Sequence, residues 1–128
     1  MKVLLNTHYA FWWQTGDARL NSRVRRLVED DAEMVFVSRV SFWELAIKAG
    51  IGKLHIDLAI FAQQVVSMGF TWLPIENAHI LILAKLPHFE DHKDPFDRLL
   101  VAQALTEPLI LLTADNKLTR YGETVKII

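Results

Sequence analysis

Glu44, Asp97 and Asp115 are the side chains whose type and placement can do chemistry, together with Asn6. Asn6 and Asp115 follow short apolar runs, where strands end. Asp97 opens a helix, and Glu44 lies inside an otherwise apolar one. Three carboxylates converging in one crevice make a hard oxygen-ligand site. Mg²⁺ is its natural occupant and Mn²⁺ a substitute, because Mg²⁺ takes one or two carboxylates, several waters and substrate phosphate. A cation held in that way activates water and neutralises charge on a phosphodiester, so the chemistry indicated is phosphodiester hydrolysis.

Each acid also has an ordinary structural reading. Ser41-Phe42-Trp43-Glu44 fits a capping box, in which the glutamate only returns a hydrogen bond to a helix start. Ser38 is the better cap, since it directly follows a strand, and it would leave Glu44 well inside the helix between Trp43 and Leu45. In Asp94-Pro95-Phe96-Asp97, Asp94 reads as the cap, Pro95 as the first helical residue and Asp97 as a first-turn acid suited to the helix dipole. Asp115 can likewise be a plain cap after Thr113-Ala114. The joint occurrence carries the argument, because a sheet that directs its strand ends to one crevice brings these acids together.

The elements that must position them are legible from periodicity. Short apolar runs predict strands over 3–5, 34–37, 70–73, 109–112 and, at an edge, 125–128. Asn6-Thr7-His8 reads as a turn or helix start. Amphipathic spacing predicts helices over 21–33, from Ser38 to Gly50, over 58–68, over 76–86 and from Pro95 toward Pro108, with a short helix opened by Asp115. Apolar rather than alternating strands, separated by helices, indicate an α/β fold: a central parallel sheet of four to five short strands with helices on both faces, in one domain spanning 1–128.

Taken in order, Leu4-Leu5-Asn6-Thr7-His8, Ser41-Phe42-Trp43-Glu44, His92-Lys93-Asp94-Pro95-Phe96-Asp97-Arg98-Leu99-Leu100 and Leu112-Thr113-Ala114-Asp115 closely resemble PIN-domain ribonucleases of the VapC toxin type, across essentially the whole chain. The resemblance implies that Glu44, Asp97 and Asp115 are metal-binding carboxylates, that Thr113 supports the site and that Asp94 is a secondary acid at its margin. It also implies an RNA substrate and a cognate antitoxin whose tail lies across the groove. A homodimer or a toxin–antitoxin hetero-oligomer is the expected assembly.

Position 6 departs from that pattern, with Asn where the family has Asp. The amide keeps one oxygen able to coordinate a cation, loses the charge, and can present its NH₂ instead. Weaker metal binding and little or no nuclease activity are therefore expected. A scaffold that binds antitoxin or RNA without cutting is the alternative.

Other residues carry two readings each. His8 and Arg98 are candidate substrate contacts, against a surface histidine and a salt bridge to Asp97. His92 is a candidate general acid with no partner visible in the sequence. Trp12, Trp13 and Trp43 suit base stacking or simply core and interface. A receiver domain would need an aspartate after a middle strand, where Ser38 and Pro74 stand. A paired-aspartate phosphatase would need acids at Asn6 and His8.

Composition is compatible with this reading. The net charge of −1 is poor for a polyanion binder, but setting aside the three site carboxylates leaves a net positive remainder, with basic clusters at 19–26, 48–53 and 98–120. The absence of cysteine excludes disulfides and thiolate metal sites. The apolar start is too short for a signal peptide and no run is long enough to span a membrane, so a cytoplasmic protein is the expectation.

Overall fold

The computed structural model describes residues 1–127. Its centre is a five-stranded sheet, parallel throughout, in the order β3-β2-β1-β4-β5. The strands are β1 (Lys2–Leu5), β2 (Met34–Ser38), β3 (Thr71–Leu73), β4 (Ile110–Thr113) and β5 (Val125–Ile127). Ile128, placed in the last strand by the sequence pattern, lies outside the described residues.

β1 is the middle strand, paired to β2 through Val3 opposite Val35 and to β4 through Val3 opposite Ile110. Val3 and Leu5 enter the core on one face, with Tyr9, Val24, Phe61 and Val65. Leu4 enters the core on the other, with Leu100, Val101 and Leu118. Both faces are covered, which is why the strand sequence is apolar without alternation. Each of these fully buried aliphatics contributes roughly 1.5–3 kcal/mol.

The first helix, α1 (Thr7–Thr15), starts as soon as β1 ends, because the Asn6 side chain caps it by accepting from His8 N. Gly16 ends it at φ 66°, the left-handed conformation that glycine adopts without strain. The helix expected over 21–33 is shorter: α2 covers Ser22–Arg26, and the chain then widens into a π-helical turn, Leu27–Asp31. That turn closes with Ala32 N donating to Leu27 O at 2.9 Å. The extra residue in the turn lets Leu27 and Val28 both face the core while Glu29, Asp30 and Asp31 stay in water.

The remaining helices are α3 (Arg39–Gly50), α4 (Leu58–Ser67), α5 (Asn77–Leu83) and α6 (Pro95–Thr106), and a 3₁₀ turn spans Asn116–Tyr121. No helix among the described residues is long and apolar enough to cross a membrane.

A buried polar chain ties the start of α3 to α5 and α6. Ser38 Oγ donates to Gln103 Oε1 at 2.6 Å and accepts from Val40 N at 2.9 Å. Gln103 Nε2 donates to Pro74 O at 3.2 Å and lies 3.3 Å from His79 Nδ1. His79 Nδ1 accepts from Glu76 N, and its Nε2 meets Glu107 Oε2 at 2.6 Å. Ser38, Gln103 and His79 are all fully buried, so each needs these partners: leaving one unsatisfied costs about 1–3 kcal/mol.

Candidate metal centre

The site lies beyond the carboxyl ends of β1 and β4, beside the central strand where the connections diverge to opposite sides of the sheet, the crevice such folds use for ligands. Asn6 follows β1, and its backbone N–H donates to Leu112 O at 3.0 Å, extending the β1–β4 ladder to the edge of the site. Its side-chain oxygen accepts from His8 N at 3.2 Å, and its Nδ2 donates to Asp97 Oδ1 at 3.3 Å. Asn6 therefore presents its amide nitrogen to Asp97 and uses its oxygen to cap α1. In this arrangement it is a hydrogen-bond donor to an acid rather than an oxygen ligand.

Asp97 stands at the centre. Asp94 caps α6 by accepting from Phe96 N at 2.8 Å and Asp97 N at 3.1 Å, and Pro95 takes the first turn. The carboxyl of Asp97 is pushed above its ordinary value, first by burial and then by the Asp94 charge, with Glu44 adding to the effect. Hydrogen bonds from His92 and Asn6 pull the other way.

Asp115 follows β4 and caps the 3₁₀ turn, accepting from Lys117 N at 3.0 Å. Its own N–H donates to the buried Thr113 Oγ1 at 3.1 Å, which fixes the turn that carries it. His92, Asp97 and Asp115 offer ligand atoms that all lie within 4.8 Å of one another.

Glu44 lies on the second turn of α3 and is only 6% exposed. Ser38 is the cap of that helix. Ser41 instead accepts from Thr7 Oγ1 at 2.9 Å, so the capping-box pattern at 41–44 does not form here. Glu44 Oε2 pairs with Lys48 Nζ at 2.9 Å, while its Oε1 is buried with no hydrogen-bond partner. Glu44 is not in the group whose ligand atoms lie within 4.8 Å of one another, although its charge reaches Asp97; the group itself, two carboxylates and an imidazole, has donor chemistry that fits a divalent cation.

The outlying candidates separate clearly. His8 is exposed, rests against Trp12 with ring centroids 5.7 Å apart, and lines a cleft of about 320 Å³ with Arg19, Lys48 and Lys53. Arg98, read from the sequence as a phosphate contact or a salt bridge, is 7% exposed and donates to Pro87 O at 2.8 Å and Tyr121 Oη at 3.1 Å. Trp12 and Trp13 are half-buried against the core, whereas Trp43 is 52% exposed and meets Phe96 edge-on at 4.9 Å. His92 gains the partners its sequence context did not reveal: Tyr121 Oη at 3.0 Å from Nδ1 and Asp97 Oδ2 at 3.4 Å from Nε2.

This arrangement can be set beside known proteins. The PIN domain family model matches residues 3–124. The chain belongs to the PIN domain family. Ribonuclease VapC22 of Mycobacterium tuberculosis (strain ATCC 25618 / H37Rv) is 28% identical over 125 residues, covering 93% of this chain and 91% of that protein. Among solved structures, VapBC2 from Rickettsia felis bound to a DNA fragment from their promoter shares the PIN fold with a TM-score of 0.72, at 13% identity over 100% of this chain and 98% of that one. A toxin–antitoxin complex from Klebsiella pneumoniae gives a TM-score of 0.66 at 15% identity, covering 97% and 95%.

Proposed function

We propose that this chain, as one PIN domain, is a metal-dependent endoribonuclease of the toxin kind, impaired by Asn at position 6 and held in check by a cognate antitoxin in the cytoplasm. The observation that carries the reading is the meeting of Asp97, in the first turn of α6, with Asp115, just past β4, while the buried Glu44 on α3, its Oε1 unsatisfied, lies close enough for its charge to push the Asp97 carboxyl up. The name of the Mycobacterium relative supports ribonuclease activity. The descriptions of the related assemblies support an antitoxin partner.

Glu44, Asp97 and Asp115 would hold the Mg²⁺ or Mn²⁺, with Thr113 supporting Asp115 and Asp94 at the margin. When bound, the ion supplies a Lewis acid that activates water and offsets charge on the scissile phosphodiester. The side chains prepare the place. Asn6 and His92 hold Asp97 in one orientation, and the Thr7–Ser41 hydrogen bond fixes α1 against the helix that carries Glu44. Lys48 and Lys53, with His8, line the adjoining cleft, where a polyanion would be retained. Trp43, Ile47 and Ile51 stand exposed one helical turn apart along α3 and just past it, which supports a protein partner or a second copy beside the site.

Replacing Asp by Asn removes a unit charge worth roughly 4 kcal/mol against a monovalent ion at 4 Å and an effective dielectric near 20, and more against a divalent one. The test is cleavage of a structured RNA with Mg²⁺ or Mn²⁺ by the chain as it stands, by Asn6→Asp, and by Asn6→Asp carrying Asp97→Ala. Cutting by Asn6→Asp alone, stopped by chelator, is the expected result. If none of the three cuts, the better reading is a PIN scaffold that binds antitoxin or RNA without cleavage, a reading that Asn6 itself favours.

A further inference from the structure

We propose that His92 is a direct ligand of the cation, through Nε2 beside Asp97 and Asp115, and that it moves the preference of the site from Mg²⁺ toward Mn²⁺ and other ions that accept imidazole. The inference rests on the metal reading above and concerns which side chains compose the site. Four observations support it.

First, His92 shares with Asp97 and Asp115 a group of ligand atoms all inside 4.8 Å of one another, and its Nε2 is the nitrogen that meets Asp97, at 3.4 Å. Second, the ring is 6% exposed, and its backbone is fixed by a bridge to Phe89, with His92 N donating to Phe89 O at 3.2 Å. It is delivered to the crevice as a rigid group. Third, Nδ1 lies 3.0 Å from Tyr121 Oη, and that oxygen receives Arg98 Nη1, which is itself anchored to Pro87 O. The phenol oxygen has two lone pairs and can accept from both. In the metal-free protein Nε2 can donate to Asp97; with a cation present, moving the proton to Nδ1, where Tyr121 Oη accepts it, would free the Nε2 lone pair for the ion. A partner on the far nitrogen is the support that metal-ligating histidines have.

Fourth, Asn6 gives its oxygen to His8 N and its NH₂ to Asp97, so the strand-end position offers the cation no oxygen ligand. His92 supplies a neutral donor where a charge is missing. Imidazole suits Zn²⁺ and other first-row ions best, and Mn²⁺, though at home among oxygen ligands, accepts a nitrogen more readily than Mg²⁺, which keeps its waters. The hydrogen bond of 3.4 Å from Nε2 to Asp97 is long for a purely structural contact.

The decisive probe is Mn²⁺ alone, added to the full chain and read by pulsed electron paramagnetic resonance, with and without ¹⁵N-labelled histidine. The expected result is a directly coordinated imidazole nitrogen, abolished in His92→Gln, with the ratio of Mn²⁺ to Mg²⁺ affinity falling about tenfold by calorimetry. Tyr121→Phe, which removes only the hydroxyl behind the ring, should weaken Mn²⁺ binding by about tenfold or more and covers the case in which His92→Gln does not fold. Mn²⁺ bound without nitrogen coupling overturns the inference and leaves an all-oxygen site intact. Coupling that survives His92→Gln assigns the nitrogen to another histidine and also overturns it. No bound Mn²⁺ in the chain or in Asn6→Asp removes the metal reading itself, and this inference with it.

Discussion

Asn6 Nδ2 donates to Asp97 Oδ1 at 3.3 Å, across 91 residues of sequence, and so joins the central strand to the helix that leads into its neighbour. An aspartate at position 6 would set two carboxylates face to face. In the metal-free protein the hydrogen bond to a charged group is then replaced by repulsion, a loss of about 1–3 kcal/mol. Asn6→Asp is expected to lower the melting temperature in chelator by roughly 3–10 °C and to gain more than the parent from saturating Mn²⁺. Thermal unfolding under both conditions checks this, and equal shifts for the two proteins would refute it.

Asp97 is held above its ordinary value of 3.8, chiefly by burial and then by Asp94. The folded state therefore binds the Asp97 proton more tightly than the unfolded state does. Stability from this group is greatest below the ordinary aspartate value and falls as pH rises from there through the raised one. Asp97→Asn should accordingly stabilise the metal-free chain at neutral pH, with the gain vanishing toward acid pH, while abolishing metal binding. Melting curves across pH in chelator measure it; a benefit that grows on acidification would contradict the assignment.

Lys48 competes with any cation for Glu44, whose Oε2 it holds at 2.9 Å. Lys48→Met leaves that carboxylate buried without a counter-charge. Lys48 itself is 37% exposed, so the loss of metal-free stability should be about 1–2 kcal/mol, below that of a fully buried pair. Mn²⁺ affinity should rise several-fold in the same variant. Calorimetry and thermal unfolding together test the opposite signs.

Gln103→Leu breaks the chain that runs from Ser38 to His79. Ser38 Oγ loses its acceptor while still capping α3, and His79 Nδ1 loses one neighbour. A destabilisation of about 1–3 kcal/mol is expected, with a drop in melting temperature of several degrees. Hydrogen exchange at Val40 N–H should accelerate in proportion, locating the loosening at the start of the helix that bears Glu44.

Much of this was legible in the sequence because burial leaves simple marks. β1 and β4 read as strands since both faces are covered, and the acids stood out because Asp94 and Asp115 occupy cap positions, Asp97 stands in a first helical turn and Glu44 interrupts an apolar helix face. The π-helical turn was not legible, because spacing alone does not distinguish an i→i+5 turn from a helix that continues. The orientation of the Asn6 amide depends on partners from α1 and α6. His92 needed Tyr121, 29 residues away, to reveal its role. The partners of Arg98 were not legible either: it neighbours Asp97 in sequence, but consecutive helical residues point about 100° apart, and its guanidinium meets Tyr121.

The place of β1 between β2 and β4 also bears on folding, since the central strand needs partners from both halves of the chain. A chain that has formed β1, β2 and β3 still has one side of its central strand bare, because β4 arrives only at residues 110–113. Until then the Asn6 N–H lacks Leu112 O, and Asp115 has no fixed position. The partly folded chain carries a sticky apolar edge and only half a cation site. Pairing so distant in sequence is slow to form. Capacity to bind metal and protection from edge-to-edge aggregation should thus appear in the same late step, so that metal uptake during refolding would time the closing of the sheet.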